Sequence, residues 1–316
     1  MLRQISQRMK AKPASWKASL RAIAVFAPLF LTAANGTAAE PPQGVQRHLF
    51  WKVTGAQGVA YLFGTIHIGK ANFYPLPQFI EDDFRQADTL VEEVNLNDPD
   101  EIAYMKRWAT EHGSYPAGDL VTNHLSDVTR SHLADYLKKS QQLEAVITRM
   151  RPWLIAVLIT ELESKRLGLD PSKGLDKHFL DEAREQKKPV EALEGAGSQL
   201  TLFGSLSQEL EDKLLLSSLV DTEKSNTLLD TVINAWQSGD AETLQAVTDR
   251  TVNDYPQLKT IMKKLVDDRN DAMTAKIEQL LATPKTYFVA IGAGHLIGER
   301  GIVNQLRAKQ LTVEQQ

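Results

Sequence analysis

The 316-residue chain carries 36 basic and 40 acidic residues, a net charge of −4, and no cysteine. That balance argues against bulk electrostatic binding to nucleic acid or anionic lipid, and the missing cysteine excludes any disulfide. A chain of this length can still bury a full core without cross-links.

Residues 1–39 hold Arg3, Arg8, Lys10, Lys12, Lys17 and Arg21, with no acidic residue, ahead of a mostly apolar run at 22–34. This order predicts a secretory signal peptide, cleaved after Ala39 or one residue earlier. The run contains Pro28 and is shorter than the roughly 20 residues of a membrane-spanning helix, so cleavage is favoured over an uncleaved interfacial anchor. An exported, periplasmic or secreted protein without a stable membrane anchor is expected. Past the leader, 30 basic residues face 40 acidic ones, leaving about −10. Residues 40–316 are expected to form one domain with a helical insertion.

After Pro41 and Pro42, residues 48–53 and 59–63 read as two short strands, with Gly55 and Gly58 suited to a hairpin turn. An amphipathic segment at 79–86 leads to an apolar strand at 89–94. Asp98-Pro99 then opens a helix by capping. Helical periodicity dominates to about Pro284, broken at 113–119, 168–174, 195–197 and 238–239, with one short strand at 189–193. The apolar stretch from Pro152 to Ile159 is too short to span a bilayer and reads as a buried helix. Residues 287–291 form a late strand and 301–309 a last helix. His124 and His132 read as surface residues eight apart on one helix. The fold class is α/β: a small central mixed sheet with flanking helices and a large helical middle section.

One pattern occurs twice. Tyr61-Leu-Phe63 runs into Gly64-Thr-Ile-His67, and Phe288-Val-Ala-Ile291 runs into Gly292-Ala-Gly-His295. Strand ends in α/β folds open onto crevices, glycine lets the backbone approach a ligand, and imidazole binds metal or moves a proton. A metal site would add carboxylates, and Glu92, Glu93 and Glu194 stand at strand ends. Because side chains alternate along a strand, only one of Glu92 and Glu93 can face the site. A dinucleotide-binding reading of the second glycine-rich loop is disfavoured, since only two residues follow Glu314 in the sequence and a Rossmann unit would need later strands. Signatures of P-loop NTPases, zincins and serine hydrolases are likewise missing.

In their order, these motifs resemble the TraB/GumN-like family, which is related to the Tiki metalloproteases. The matching text includes Leu49-Phe-Trp-Lys-Val-Thr54, Ala87-Asp-Thr-Leu-Val-Glu-Glu-Val94, Pro152-Trp153, Gly174-Leu-Asp176, Glu191-Ala-Leu-Glu194 and Asp268-Arg-Asn270, together with both Gly-x-x-His segments. The resemblance implies an α/β fold and, in the Tiki branch, a divalent-metal-dependent peptidase. Carried over by position, it points to His67, His295 and Glu93 as metal ligands, with Zn, Mn or Co as the metal. Glu93 or Glu194 would serve as remaining ligand or general base, and Arg269 would stabilise an oxyanion. A metal held there would activate water for attack on a substrate carbonyl. The expected substrate is a peptide or protein, with no nucleic-acid partner. The alternative is a catalytically inactive periplasmic binding or scaffolding protein.

Overall fold

The computed structural model describes residues 47–316, apart from 139–140, 221–224, 255 and 257. The predicted leader lies outside the described residues. Six strands form one mixed sheet: β1 (Phe50–Thr54), β2 (Val59–Thr65), β3 (Thr89–Glu92), β4 (Val190–Ala192), β5 (Thr286–Gly292) and β6 (Thr312–Gln315), in the order β4-β3-β5-β2-β1-β6. β1 and β2 make the expected hairpin, closed by Gly55 N–H donating to Gly58 O at 2.9 Å. β4, β3, β5 and β2 run parallel, while β1 is antiparallel to both of its neighbours. Parallel strands covered on both faces read as continuous apolar runs. Tyr287 to Ile291 is such a run, and it is wholly buried in β5.

Helix α1 (Gln78–Gln86) carries the chain from β2 to β3 and buries Ile80 and Phe84 against the sheet. The next helix, α2 (Pro99–His112), starts as predicted: the Asp98 carboxylate accepts from Asp100 N–H at 2.9 Å, and Pro99 occupies the first turn. The middle section continues through α3 (Asp127–Lys138), α4 (Gln141–Ile147), α5 (Pro152–Arg166) and α6 (Leu175–Gln186) to β4. It resumes with α7 (Ala196–Gly204), α8 (Gln208–Val220), α9 (Ser225–Gln237), α10 (Ala241–Asp254), α11 (Leu258–Met262), a π-helical turn at Lys263–Asp267 and α12 (Asp268–Leu281). The short α13 (Ala293–Leu296) and α14 (Ile302–Ala308) follow β5.

Two apolar clusters hold these elements together. Around the sheet, Phe179 of α6 packs on Phe288, Phe84 and Phe63 with ring centroids 4.6, 4.9 and 5.6 Å apart. Among the helices, Trp153 stacks on Phe203 at 5.2 Å and meets Trp108 at 5.9 Å. Each fully buried aromatic of this kind contributes about 1.5–3 kcal/mol through area removed from water. The stretch after Pro152 is therefore core: Trp153, Ile155, Ala156, Val157 and Ile159 are buried in α5. Among the described residues no helix is long and apolar enough to cross a membrane.

Two details differ from the sequence reading. His124 ends a separate 3-10 turn, Val121–His124, while exposed His132 lies on α3, so the two do not share a helix. His124 is half-buried, stacked on Tyr115 and bonded to Asp119. The other difference is β6, which lies beyond the last predicted helix and pairs with β1. Its residues alternate between exposed and half-buried, as befits an edge strand.

Candidate active site

All four parallel strands deliver their carboxyl ends to one edge of the sheet. Thr65 of β2 stands beside Gly292 of β5, and Glu92 of β3 is in register with Ala290 and with Ala192 of β4. Ligands in open α/β sheets bind outside such carboxyl ends. Both Gly-x-x-His turns begin there, as does Glu93, the first residue past β3.

Glu93 is the hub. One of its carboxylate oxygens, Oε1, accepts the Gly292 N–H at 2.9 Å; the other, Oε2, accepts Arg269 Nη2 at 2.6 Å and Gln199 Nε2 at 3.2 Å. His67 Nε2 lies 3.8 Å from Oε1, and His295 Nε2 lies 3.7 Å from Oε2. The two imidazoles thus address the two oxygens of one carboxylate. Gly292 makes this approach possible: a Cβ there would stand 2.9 Å from His67 Nε2 and 3.1 Å from Glu93 Oε1.

Pairing between β3 and β4 continues past both strand ends, because Leu193 N donates to Glu92 O and Glu194 N to Glu93 O, at 2.8 and 2.9 Å. Glu194 therefore sits alongside Glu93, and Arg269, in the first turn of α12, bridges the two. Its Nε donates to Glu194 Oε1 at 2.9 Å, Nη2 to both carboxylates, and Nη1 to Leu265 O at 2.7 Å. With these donors directed at carboxylates and a carbonyl, Arg269 sits as a carboxylate clamp.

Behind each imidazole stands a further polar side chain. Asp176, near the start of α6, accepts from Thr65 Oγ1 at 2.6 Å and pairs with His67 Nδ1 at 2.7 Å. On the other side, His295 Nδ1 meets Asn270 Oδ1 at 2.6 Å, and Asn270 Nδ2 donates to Arg300 O at 3.0 Å. Both Nε2 atoms are buried and lack a hydrogen-bond partner.

Electrostatics separate the groups. Burial pushes Glu93 up, but His295, Arg269, His67 and the Gly292 N–H together hold its carboxyl down to about 2. His295 is lowered to about 3, chiefly by burial. Burial also works against charge on His67, yet Asp176 and Glu93 outweigh it and raise its pKa. Glu92 is raised well above the carboxylate range by burial, with Asp176 and Glu93 adding repulsion. Of the adjacent pair, then, Glu93 is the one between the histidines.

His67, Glu93 and His295 are brought together; Glu194 and Arg269 adjoin them through the carboxylate clamp. Asp176, Asn270, Thr65 and Gln199 were not singled out from sequence. The first two lie inside the Gly174-Leu-Asp176 and Asp268-Arg-Asn270 motifs, which was the available signal. Among the described residues no three His, Cys, Asp or Glu side chains form a ready metal-holding cluster. The donor chemistry nonetheless fits a cation. Two buried, unpartnered imidazole nitrogens converge on a carboxylate, each with its other ring nitrogen held by an oxygen, the usual outer support of metal-ligating histidine.

A mixed α/β sheet with a His–Glu–His centre at its parallel strand ends defines the class. The chain belongs to the TraB/PrgY/gumN family, whose model matches residues 49–315. It is 26% identical over 250 residues to the uncharacterized protein YbaP of Escherichia coli (strain K12), covering 78% of this chain and 87% of that protein. It is 22% identical over 328 residues to Metalloprotease TIKI1 of Danio rerio, covering 89% of this chain and 65% of the relative. For the Metalloprotease TIKI homolog of Amphimedon queenslandica the identity is 24% over 346 residues, with 92% and 65% covered. No solved structure matches.

Proposed function

We propose that the protein is an exported hydrolase acting on peptide bonds with the help of a divalent cation held by His67, His295 and Glu93. The observation that carries this reading is the convergence of two unpartnered imidazole nitrogens on the two oxygens of one buried carboxylate. Charge supports it. Glu93, Glu194 and Asp176 against Arg269 leave two negative charges when both imidazoles are neutral, the complement of a dication. The metalloprotease names of the TIKI relatives support the reaction class.

When bound, a zinc, manganese or cobalt ion supplies Lewis acidity, acidifying water and polarising a carbonyl. The rest falls to the chain. Glu93, held near 2, accepts a proton poorly at neutral pH and acts by holding charge. Glu194, further from the histidines and in contact with Arg269, Gln199 and Ser198, is the carboxylate left for proton transfer. Arg269 orients both carboxylates. The near-complete burial of His295 and Glu93 keeps bulk water out, which strengthens each of these interactions.

The same burial favours a second reading, a binding or scaffolding protein without turnover, because His295 is 0% exposed and a substrate must displace something to reach it. Metal analysis and peptide-library hydrolysis of purified wild type, His67→Ala and His295→Ala separate the two. The hydrolase reading expects stoichiometric metal and cleavage in wild type, with both lost in each variant. Unchanged metal content and unchanged hydrolysis in both variants would overturn it. A metal-free protein that cleaves nothing and is stabilised by a ligand would establish the second reading.

A further inference from the structure

We infer that Asp176 and Asn270 are positioning residues that fix both site histidines in the same tautomer, proton on Nδ1 and lone pair on Nε2. The inference deepens the preceding reading of His67 and His295 as a ligand pair and rests on it for its significance. Nothing in the spacing of the two Gly-x-x-His motifs requires it.

On the His67 side, three consecutive residues grip three others. Asp176 takes the Thr65 hydroxyl and the His67 ring, Leu175 N donates to Ile66 O at 3.1 Å, and Gly174 lies flat on the His67 carbonyl, where any Cβ would collide with it. A carboxylate is an acceptor only, so the proton in the 2.7 Å contact belongs to His67 Nδ1. With Nδ1 protonated, neutral imidazole carries its lone pair on Nε2, the atom that faces Glu93.

On the His295 side the holder is neutral, yet the outcome is the same. The amide orientation of Asn270 is decided by Arg300: Nδ2 donates to the Arg300 carbonyl, so Oδ1 is the atom turned to the ring. His295 Nδ1 must then donate, and its Nε2 lone pair points at the other Glu93 oxygen. Two unrelated devices, an aspartate on α6 and an asparagine on α12, thus present two lone pairs at one place. A pair of unconstrained histidines would populate the other tautomer freely. Each could then donate Nε2–H to Glu93 and cancel the site.

The test uses the full chain, uniformly 15N-labelled and without added metal, at pH 9, well above the ordinary imidazole value. Long-range 1H–15N correlation spectra distinguish the tautomers, and His67→Gln and His295→Gln assign the signals by their loss. Both rings are expected as the Nδ1–H form. Asp176→Ala should shift His67 alone towards the Nε2–H form, and Asn270→Ala should shift His295 alone. Asp176→Asn, which keeps an acceptor oxygen, should restore the wild-type tautomer and serves if the alanine variant does not fold. An Nε2–H form in wild type, or tautomers unmoved by either alanine variant, would overturn the inference. Zinc affinity by competition with a chromophoric chelator is the second readout: each alanine variant should weaken it about 10–100-fold, the usual effect of removing such a support. If wild type binds no zinc while the tautomers behave as expected, the cation reading fails and the positioning role stands.

Discussion

Among the described residues, a glutamate is buried against an arginine at the sheet edge and another inside the helical section. Glu211 of α8 is paired with Arg151, next to an Asp212 that accepts the Ser126 N–H at 3.0 Å. There burial wins over the arginine and raises the Glu211 pKa. At the sheet edge, Glu93 is likewise buried but its pKa is lowered, because two imidazoles join the arginine and the Gly292 N–H. Arg151 and the Trp153 N–H make the buried Glu211 tolerable without overcoming its burial. A site that concentrates several positive-seeking and positive-bearing groups on one carboxylate is arranged around charge.

The sharpest way to break this comparison is to remove each arginine. Arg269→Ala strands two carboxylates and is expected to destabilise by about 3–5 kcal/mol, the range for unpairing a buried charge. Arg151→Ala should cost only about 1–2 kcal/mol, as Glu211 can take up a proton. Urea denaturation at pH 7 reads both, and equal losses would dissolve the distinction.

Glycines offer a second contrast. Gly174→Ala drives a Cβ into the His67 carbonyl, and about 1–3 kcal/mol of overpacking is expected. Gly118 has open space around it but a φ of +89°, so Gly118→Ala should cost about 1 kcal/mol through backbone strain alone. Only the first should also impair metal uptake, measured by dialysis and metal analysis.

The pH dependence sharpens the comparison further. A raised folded pKa means that the Glu211 contribution is full below its unfolded value, near 4.5, and is lost as pH rises through the folded value. Glu211→Gln removes that loss, so the stability of the variant relative to wild type should rise with pH across this window. A flat difference between pH 4 and 7 would refute the assignment. The smallest effects belong to the exposed residues Val128 and Val146, where serine should change stability by about 0.5 kcal/mol or less.

The site's principal groups were legible because each is marked locally. Apolar runs ending in Gly-x-x-His announced strand ends, and period-two alternation meant that Glu92 and Glu93 had to part company. What stayed hidden depends on distance along the chain. Asp176 meets His67 across 109 residues and Asn270 meets His295 across 25, and no spacing rule joins a helix start to an imidazole. β6 escaped notice because an edge strand of Thr-Val-Glu-Gln exposes half its residues, so its pattern matches a polar tail until β1 supplies the hydrogen bonds. His124 and His132 were joined in one helix because the break between them falls at Leu125 and Ser126, where Ser126 Oγ accepts from Thr129 N–H at 3.3 Å and starts α3 afresh.

The pairing of β6 with β1 also decides how the protein should be handled. His48 N donates to Gln316 O and Gln316 N to Phe50 O, and Phe50 lies opposite Phe63 near the carboxyl end of β2. Both ends of the described chain therefore leave the sheet on the same side as the His–Glu–His centre. Three interstrand spacings of nearly 5 Å place β6 about 15 Å from β5. A polyhistidine tag fused after Gln316 would start on the same side as the centre, so the proposed metal stoichiometry is best measured on protein without a tag there.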